Sequence, residues 1–159
     1  MIWSNLWERF ISSDDRIVEA LNRAARGDGN MSVAEIRRCA LETSSSKVRN
    51  AAVIALADMH APEAMGIIIE LLGRPETKGS RGSILYALSE IEGPVPLDIL
   101  VNIITDESYE ASEEALGLLS RAKFTSDDLR RAIARLTAAA RTTDRRRVAS
   151  EALELLTTH

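Results

Sequence analysis

The chain has 159 residues, of which 45% are hydrophobic and 28% charged, and its formal net charge is −4 at pH 7. This size and composition fit one soluble globular domain. The acidic balance argues against binding nucleic acid independently of sequence, because such binding needs a basic surface. Aromatic residues make up only 4%, so the core must consist mainly of Ala, Leu, Ile and Val.

Cysteine content and hydropathy indicate the compartment. The only cysteine, Cys39, cannot form an intramolecular disulfide. No apolar run approaches the about 18 residues of a membrane span. Glu8 and Arg9 interrupt the first apolar stretch too early for a signal peptide. We therefore expect a cytoplasmic protein with no membrane association.

The N-terminal segment concentrates aromatic side chains. Trp3, Trp7 and Phe10 are three of the six aromatic residues in the chain, and their spacing makes one helical stripe. Two interpretations stay open: the stripe caps the first helices, or it is a surface for self-association. The following stretch, 14–27, predicts a further helix that completes an N-terminal cap over residues 1–30.

Four pairs of helices are predicted after this cap. The first members cover 32–42, 62–73, 96–105 and 126–141, and the second members cover 47–59, 81–91, 109–119 and 146–156. Apolar residues recur at helical spacing in all eight stretches, and no segment alternates with a period of two. Ser32 and Glu35 predict a capping box. The sequence therefore predicts an all-α fold without strands.

The second helices repeat one pattern. Ala-Leu pairs at 55–56, 87–88, 115–116 and 152–153 are separated by 32, 28 and 37 residues. One helix pair cannot bury its apolar face alone, but stacked pairs share a continuous core. The predicted units of this single domain are 31–60, 61–93, 94–122 and 123–159.

The first copy carries a family resemblance. Residues 48–56 read Val-Arg-x-x-Ala-x-x-Ala-Leu, which resembles the second helix of a HEAT or HEAT-like repeat, and Arg81 and Arg146 align with Arg49, whereas the third copy has Tyr109. The resemblance implies a right-handed α-α superhelix that mostly binds proteins, although a few members bind nucleic acid or act as bilin lyases. The repeated arginine is expected to tie adjacent repeats together.

Positions that differ between aligned second helices are candidates for the inner, partner-binding face. The variable columns are Asn50, Gly82, Glu110 and Arg147; Ile54, Tyr86, Glu114 and Glu151; and Val53, Leu85, Glu113 and Ser150. We predict a binding site centred on Tyr86, Glu110, Glu113 and Glu114, with contributions from Asn50, Ile54, Glu90 and Glu151. For Tyr86, packing between repeats is the open alternative.

Charge is segregated along the chain. Residues 58–114 contain twelve acids and three bases, whereas residues 121–159 contain nine bases and five acids. The stretch 106–114 holds five acids and no base. Such asymmetry favours recognition of a basic partner. The alternative is a solvated helix face with acids near the positive helix terminus.

No pattern indicates catalysis, a metal or a cofactor. His60 falls in a turn between helices, and Cys39 and Asp58 do not complete a metal-ligand spacing with it. We therefore predict a non-enzymatic adaptor, scaffold or inhibitor, with an immunity protein that neutralises a toxin as one form of inhibitor. The alternatives are a HEAT-like lyase and a nucleic-acid-binding protein, the latter resting on Arg130, Arg131, Arg135, Arg141 and Arg145–Arg147.

Overall fold

The computed structural model describes residues 12–158, so the predicted roles of Trp3, Trp7 and Phe10 lie outside the described residues. Within 12–158 the chain forms nine α-helices. They are α1 (Ser13–Ala25), α2 (Val33–Leu41), α3 (Ser46–Asp58), α4 (Ala64–Gly73), α5 (Gly82–Ser89), α6 (Leu97–Asp106), α7 (Tyr109–Gly117), α8 (Ser126–Ala139) and α9 (Arg146–Thr157). The all-α prediction is confirmed, and each helix predicted within residues 12–158 is present.

The chain forms two compact units, Met1–Leu71 and Leu72–His159, and the boundary between them falls inside α4. In the first unit α3 packs against both α1 and α2. Leu21, Ile36 and Leu56 are fully buried, one from each of these helices. Burying such a side chain stabilises the fold by about 1.5–3 kcal/mol, so these aliphatic residues contribute substantially to the stability of the unit.

The second unit consists of two helix layers. Helix α7 packs against α5 and α9, and α6 packs against α7 and α8. One layer consists of α5, α7 and α9 and is named the second-helix layer, because each of these helices is the second member of its pair. The other layer contains α6 and α8. The anchor alanines Ala87, Ala115 and Ala152 are at most 1% exposed. This burial agrees with their predicted role at close helix contacts, where a larger side chain would separate the backbones.

Helix starts follow their capping residues. Ser12 with Asp15, Ser32 with Glu35, and Thr125 with Asp128 form capping boxes, in which each side chain satisfies a backbone N–H of the other residue. These hydrogen bonds lower the pKa of the Glu35 and Asp128 carboxyls. The box predicted at Ser32 is confirmed.

A short strand pairing corrects the expectation that the chain has no strands. Val95–Pro96 and Ala122–Lys123 pair in parallel, two residues each. The adjacent Arg121 supports this junction: its Nε and Nη2 donate to the Gly93 carbonyl at 3.1 and 2.9 Å, and its Nη1 donates to the Leu88 carbonyl at 2.9 Å. One arginine thus satisfies acceptors at the end of α5 and in the loop after it.

A buried ion pair joins two successive helix pairs in the second unit. Arg81 Nη1 lies 3.0 Å from Glu107 Oε1, and the two side chains are only 10% and 2% exposed. The Gly79 N–H donates to Glu107 Oε2 at 3.1 Å. Arg81 also donates from Nε to Thr77 Oγ1 and from Nη2 to the Arg74 carbonyl. The predicted tie between repeats is therefore confirmed at Arg81.

Arg145, which directly precedes α9, also forms hydrogen bonds to this region. Its guanidinium donates to the Glu107 carbonyl and, from Nη1, to Ser112 Oγ at 2.9 Å. Ser112 is fully buried, and its hydroxyl lies 2.9 Å from the Ser108 carbonyl, to which it donates. Helices α5, α6, α7 and the start of α9 are thus connected through one buried polar network.

We expect Glu107→Gln to reduce the free energy of unfolding by about 3–5 kcal/mol, because it leaves the buried Arg81 charge without its counter-charge. Urea denaturation measures the change. The matched control is Asp127→Asn, which breaks the exposed pair between Asp127 and Arg130 and should have little effect. A loss no larger than that of the control would contradict the role given to the buried pair.

The Asp15 carboxylate makes the free energy of unfolding depend on pH in the acid range. Hydrogen bonds from Lys47 and Ser12 lower the pKa of Asp15 to about 2. Because the folded pKa lies below the unfolded value of about 3.9, the contribution of the carboxylate is present above about pH 4 and is lost as pH falls toward 2. The stability difference between the wild type and Asp15→Asn should therefore shrink across this window. A difference independent of pH would overturn the prediction.

Candidate functional site

The predicted site residues of the second unit lie on the second-helix layer. Tyr86 on α5 is 51% exposed, and Glu90, at the end of the same helix, is also exposed. On α7, Glu110 and Glu114 are exposed, and Glu113 is half-buried. The structure thus presents a tyrosine and several carboxylates on two helices that pack against each other.

Within the described residues, the acids of this surface differ in whether they have partners. The side chains of Glu90, Glu110 and Glu114 form no ion pair or hydrogen bond within residues 12–158, and all three residues are exposed to solvent. Glu113 and Glu151, by contrast, both pair with Arg147. The unpaired acids define what is called the acidic face below: Glu90, Glu110 and Glu114, with Tyr86.

Arg147 is the centre of a second, mixed cluster. Its guanidinium carbon lies 5.2 Å from the centre of the Tyr109 ring, and Nη2 donates to the Tyr109 hydroxyl at 2.7 Å. Nη2 also pairs with Glu113, and Nη1 donates to Glu151 Oε2 at 3.0 Å. The Glu113 hydrogen bond raises the pKa of Arg147. Tyr109, Glu113, Arg147 and Glu151 are called the Arg147 cluster below.

Charge that is segregated along the chain is mixed in space. Asp106, in the stretch without bases, pairs with Arg135 of α8 at 3.3 Å. Glu107 pairs with Arg81, and Glu113 with Arg147. Three of the five acids in 106–114 are therefore neutralised by arginines from other helices. The acidic character of the middle of the sequence is therefore reduced in the folded chain, because bases distant in sequence pack beside these acids.

The same pairings weaken the nucleic-acid alternative. Arg130 and Arg131 pair with acids three residues earlier on α8, and Arg135 pairs with Asp106. Arg145 is committed to the buried network described above. Of the seven arginines on which this alternative rests, only Arg141 and Arg146 have side chains that form no ion pair or hydrogen bond within residues 12–158. Two free cations do not make the basic stripe that phosphates require.

In the first unit, Asn50 and Ile54 are both partly buried on α3. The Asn50 Oδ1 is buried and has no hydrogen-bond partner within the described residues. Val53, which precedes Ile54, is fully buried, as is its counterpart Leu85. The column that contains these two residues therefore belongs to the core in the first two copies and not to a binding face.

The sequence alignment misplaced the inward-facing arginine of the fourth pair and left the contact of Tyr109 unpredicted. Aligning on Ala-Leu put Arg146 in the repeated arginine position, but Arg146 is exposed and Arg145 makes the inter-helix hydrogen bonds. Tyr109, read as a departure from the pattern, is 63% exposed and contacts Arg147. The run of three arginines at 145–147 was the available signal, but it did not reveal which one turns inward.

The cavities of the second unit differ in the chemistry of their lining. A cavity of about 400 Å³ is lined by Leu116, Gly117, Leu119, Ser120, Ala122, Phe124, Leu155 and Leu156, none of which has an ionisable side chain. The lining of a cavity of about 620 Å³ includes Glu90, Glu92 and Arg121, and the Arg121 guanidinium is already committed to backbone carbonyls. Within residues 12–158, no group of three or more His, Cys, Asp or Glu side chains could hold a metal ion.

Comparison with known families identifies the class of protein. A family model described as HEAT repeats matches residues 33–120, more than half of the chain. The chain therefore belongs to the HEAT-repeat family of α-solenoids, as the Val-Arg-x-x-Ala-x-x-Ala-Leu pattern at 48–56 and the repeated Ala-Leu pairs predicted. No curated protein and no solved structure matches it significantly. HEAT repeats are generally protein-interaction modules.

No helix in the described part of the chain has both the length and the apolar character needed to cross a membrane. His60, the one histidine among the described residues, is exposed in the turn after α3 and has a positive φ of 51°.

We expect Arg145→Gln and Arg147→Gln to differ sharply in thermal stability. Arg145→Gln removes charged donors from partly buried acceptors and should cost about 1–3 kcal/mol, which lowers the melting temperature by several degrees. Arg147→Gln breaks exposed pairs and should change the melting temperature by no more than about 2 °C. Differential scanning calorimetry of both variants checks this. Equal losses would show that Arg147 is structural as well.

Proposed function

We propose that this HEAT-repeat protein is a non-enzymatic interaction module that binds a partner with a basic surface through the acidic face. The supporting observation is that Glu90, Glu110 and Glu114 are exposed and unpaired within the described residues, whereas other acids nearby are neutralised by arginines. Unpaired carboxylates attract a basic partner without first breaking an internal ion pair, and they raise its association rate.

Tyr86 supplies the apolar part of the proposed contact. A half-exposed tyrosine offers a large rigid surface with a hydroxyl at its tip, and tyrosine is enriched among residues that dominate binding energy. Its place on the packed pair α5 and α7 means that the backbone beneath it is fixed by the core. In the first unit, Asn50 is a separate candidate contact, because a donor from a partner or from water would satisfy its buried Oδ1.

This function is compatible with an adaptor, a scaffold or an inhibitor. An inhibitor of a basic protein, such as an immunity protein, would gain most from electrostatic steering, because fast association matters when a toxin must be neutralised. A lyase is not favoured, since the apolar cavity beside Phe124 has no acid or base in its lining.

With a single cysteine, Cys39, the protein suits a reducing compartment, and we propose the cytoplasm.

Affinity capture tests the proposal with two variants of equal charge change. Glu110→Lys/Glu114→Lys reverses the acidic face, and Glu92→Lys/Asp98→Lys makes the same net change at exposed residues before α6 and in its first turn. We expect the wild type and the second variant to capture the same specific partner, and the first variant to lose it. The captured protein should have a basic surface, and salt should weaken the complex.

Circular dichroism must show that both variants are folded, and the isolated partner should then be titrated by calorimetry. Equal binding by the wild type and Glu110→Lys/Glu114→Lys would refute the role of the acidic face. Loss of binding in both variants alike would show that net charge alone, and not this face, controls the interaction.

A further inference from the structure

The Arg147 cluster contains the elements of a site for a guanidinium group. The Tyr109 ring offers its negative face, and Glu113 and Glu151 offer carboxylate oxygens around the same point. Planar guanidinium groups both stack on aromatic rings and pair with carboxylates. In the structure the guanidinium of Arg147 itself fills this position, with its carbon 5.2 Å from the ring centre.

This internal occupant is held weakly. The Arg147 side chain is 53% exposed, and its partners Glu113 and Glu151 are 36% and 49% exposed. Exposed ion pairs contribute little to stability because water and salt compete with them. The neighbouring Arg145, which is 21% exposed and bonded to carbonyls, provides the structural connection instead. The fold therefore does not depend on Arg147 for its integrity.

The cluster also has space beside it. A cavity of about 180 Å³ is lined by Tyr109, Asp144, Arg145, Arg147 and Val148. The unpaired Glu110 adjoins Tyr109 in the sequence, and Glu114 lies one helical turn further along α7. A basic segment that binds the acidic face would therefore come close to the exposed Tyr109 ring.

We propose that the Arg147 cluster is an arginine-binding subsite and that Arg147 acts as an internal competitor, displaced when an arginine of the partner stacks on Tyr109 and pairs with Glu113. This rests on the proposed function, since the same partner would occupy the acidic face. The exchange replaces one guanidinium by another, so the subsite stays neutralised in both states. Its consequence is selectivity: an arginine-rich segment binds better than a lysine-rich one, because lysine cannot stack as a planar group.

The test measures binding of fluorescein-labelled octa-arginine and octa-lysine peptides by fluorescence anisotropy. Arg147→Gln should tighten octa-arginine binding by about threefold to tenfold, because the internal competitor is gone. Arg130→Gln is the matched control, since it removes the same charge from an exposed ion pair on α8. Adding Tyr109→Ala or Glu113→Gln to Arg147→Gln should abolish the gain, and octa-lysine should gain less.

The outcomes separate this inference from the proposed function. Equal affinity in Arg147→Gln and Arg130→Gln, while Glu110→Gln/Glu114→Gln still weakens binding, would overturn the subsite and leave the acidic face standing. A gain confined to Arg147→Gln, with no effect of Glu110→Gln/Glu114→Gln, would support the subsite and count against the acidic face. Weaker binding by Arg147→Gln would show that Arg147 contacts the probe and would overturn its role as competitor.

Discussion

The buried ion pair between Arg81 and Glu107 is the constraint on which the second unit depends. An arginine and a glutamate that are nearly inaccessible to water must satisfy each other, because either charge alone would carry a large desolvation cost. The pair is placed where α5 begins and α6 ends, so it fixes the separation of two helix pairs. The same ion pair also fixes the loop that contains Thr77 and Gly79, because polar groups of this loop form hydrogen bonds with the two side chains.

Ion pairs between helices also decide what the surface offers to a partner. Arginines of α8 and α9 reach back to acids that precede or belong to α7, which leaves a few carboxylates unpaired. The available surface is therefore smaller than the acidic sequence suggests, but its unpaired groups lie on helices held rigidly by the core. In the proposed function, recognition depends on which acids lack an internal arginine and not on the total charge of the segment.

Much of the fold could be read from the sequence, and the site only in part. Helical spacing located every α-helix of residues 12–158, and Ser32 with Glu35 marked a helix start, because these signals act within a few residues. The partners of Glu107 and Glu113 could not be found in this way, since they lie 26 and 34 residues away and depend on helix rotation. Arg145 and Arg146 illustrate the limit: one residue of offset decides which of them turns inward.

Because Arg81 and Glu107 belong to successive helix pairs, their ion pair limits where helix pairs can be added or deleted. If every buried charge of a helix pair were neutralised by a residue of the same pair, that helix pair could be duplicated or deleted as a unit. Here Arg81 precedes α5, and its counter-charge follows α6. Deleting α6 with its following turn would leave a cation buried beside α5, and a new pair inserted between them would have to bring its own carboxylate. Lineages that change repeat number are therefore expected to do so away from this junction.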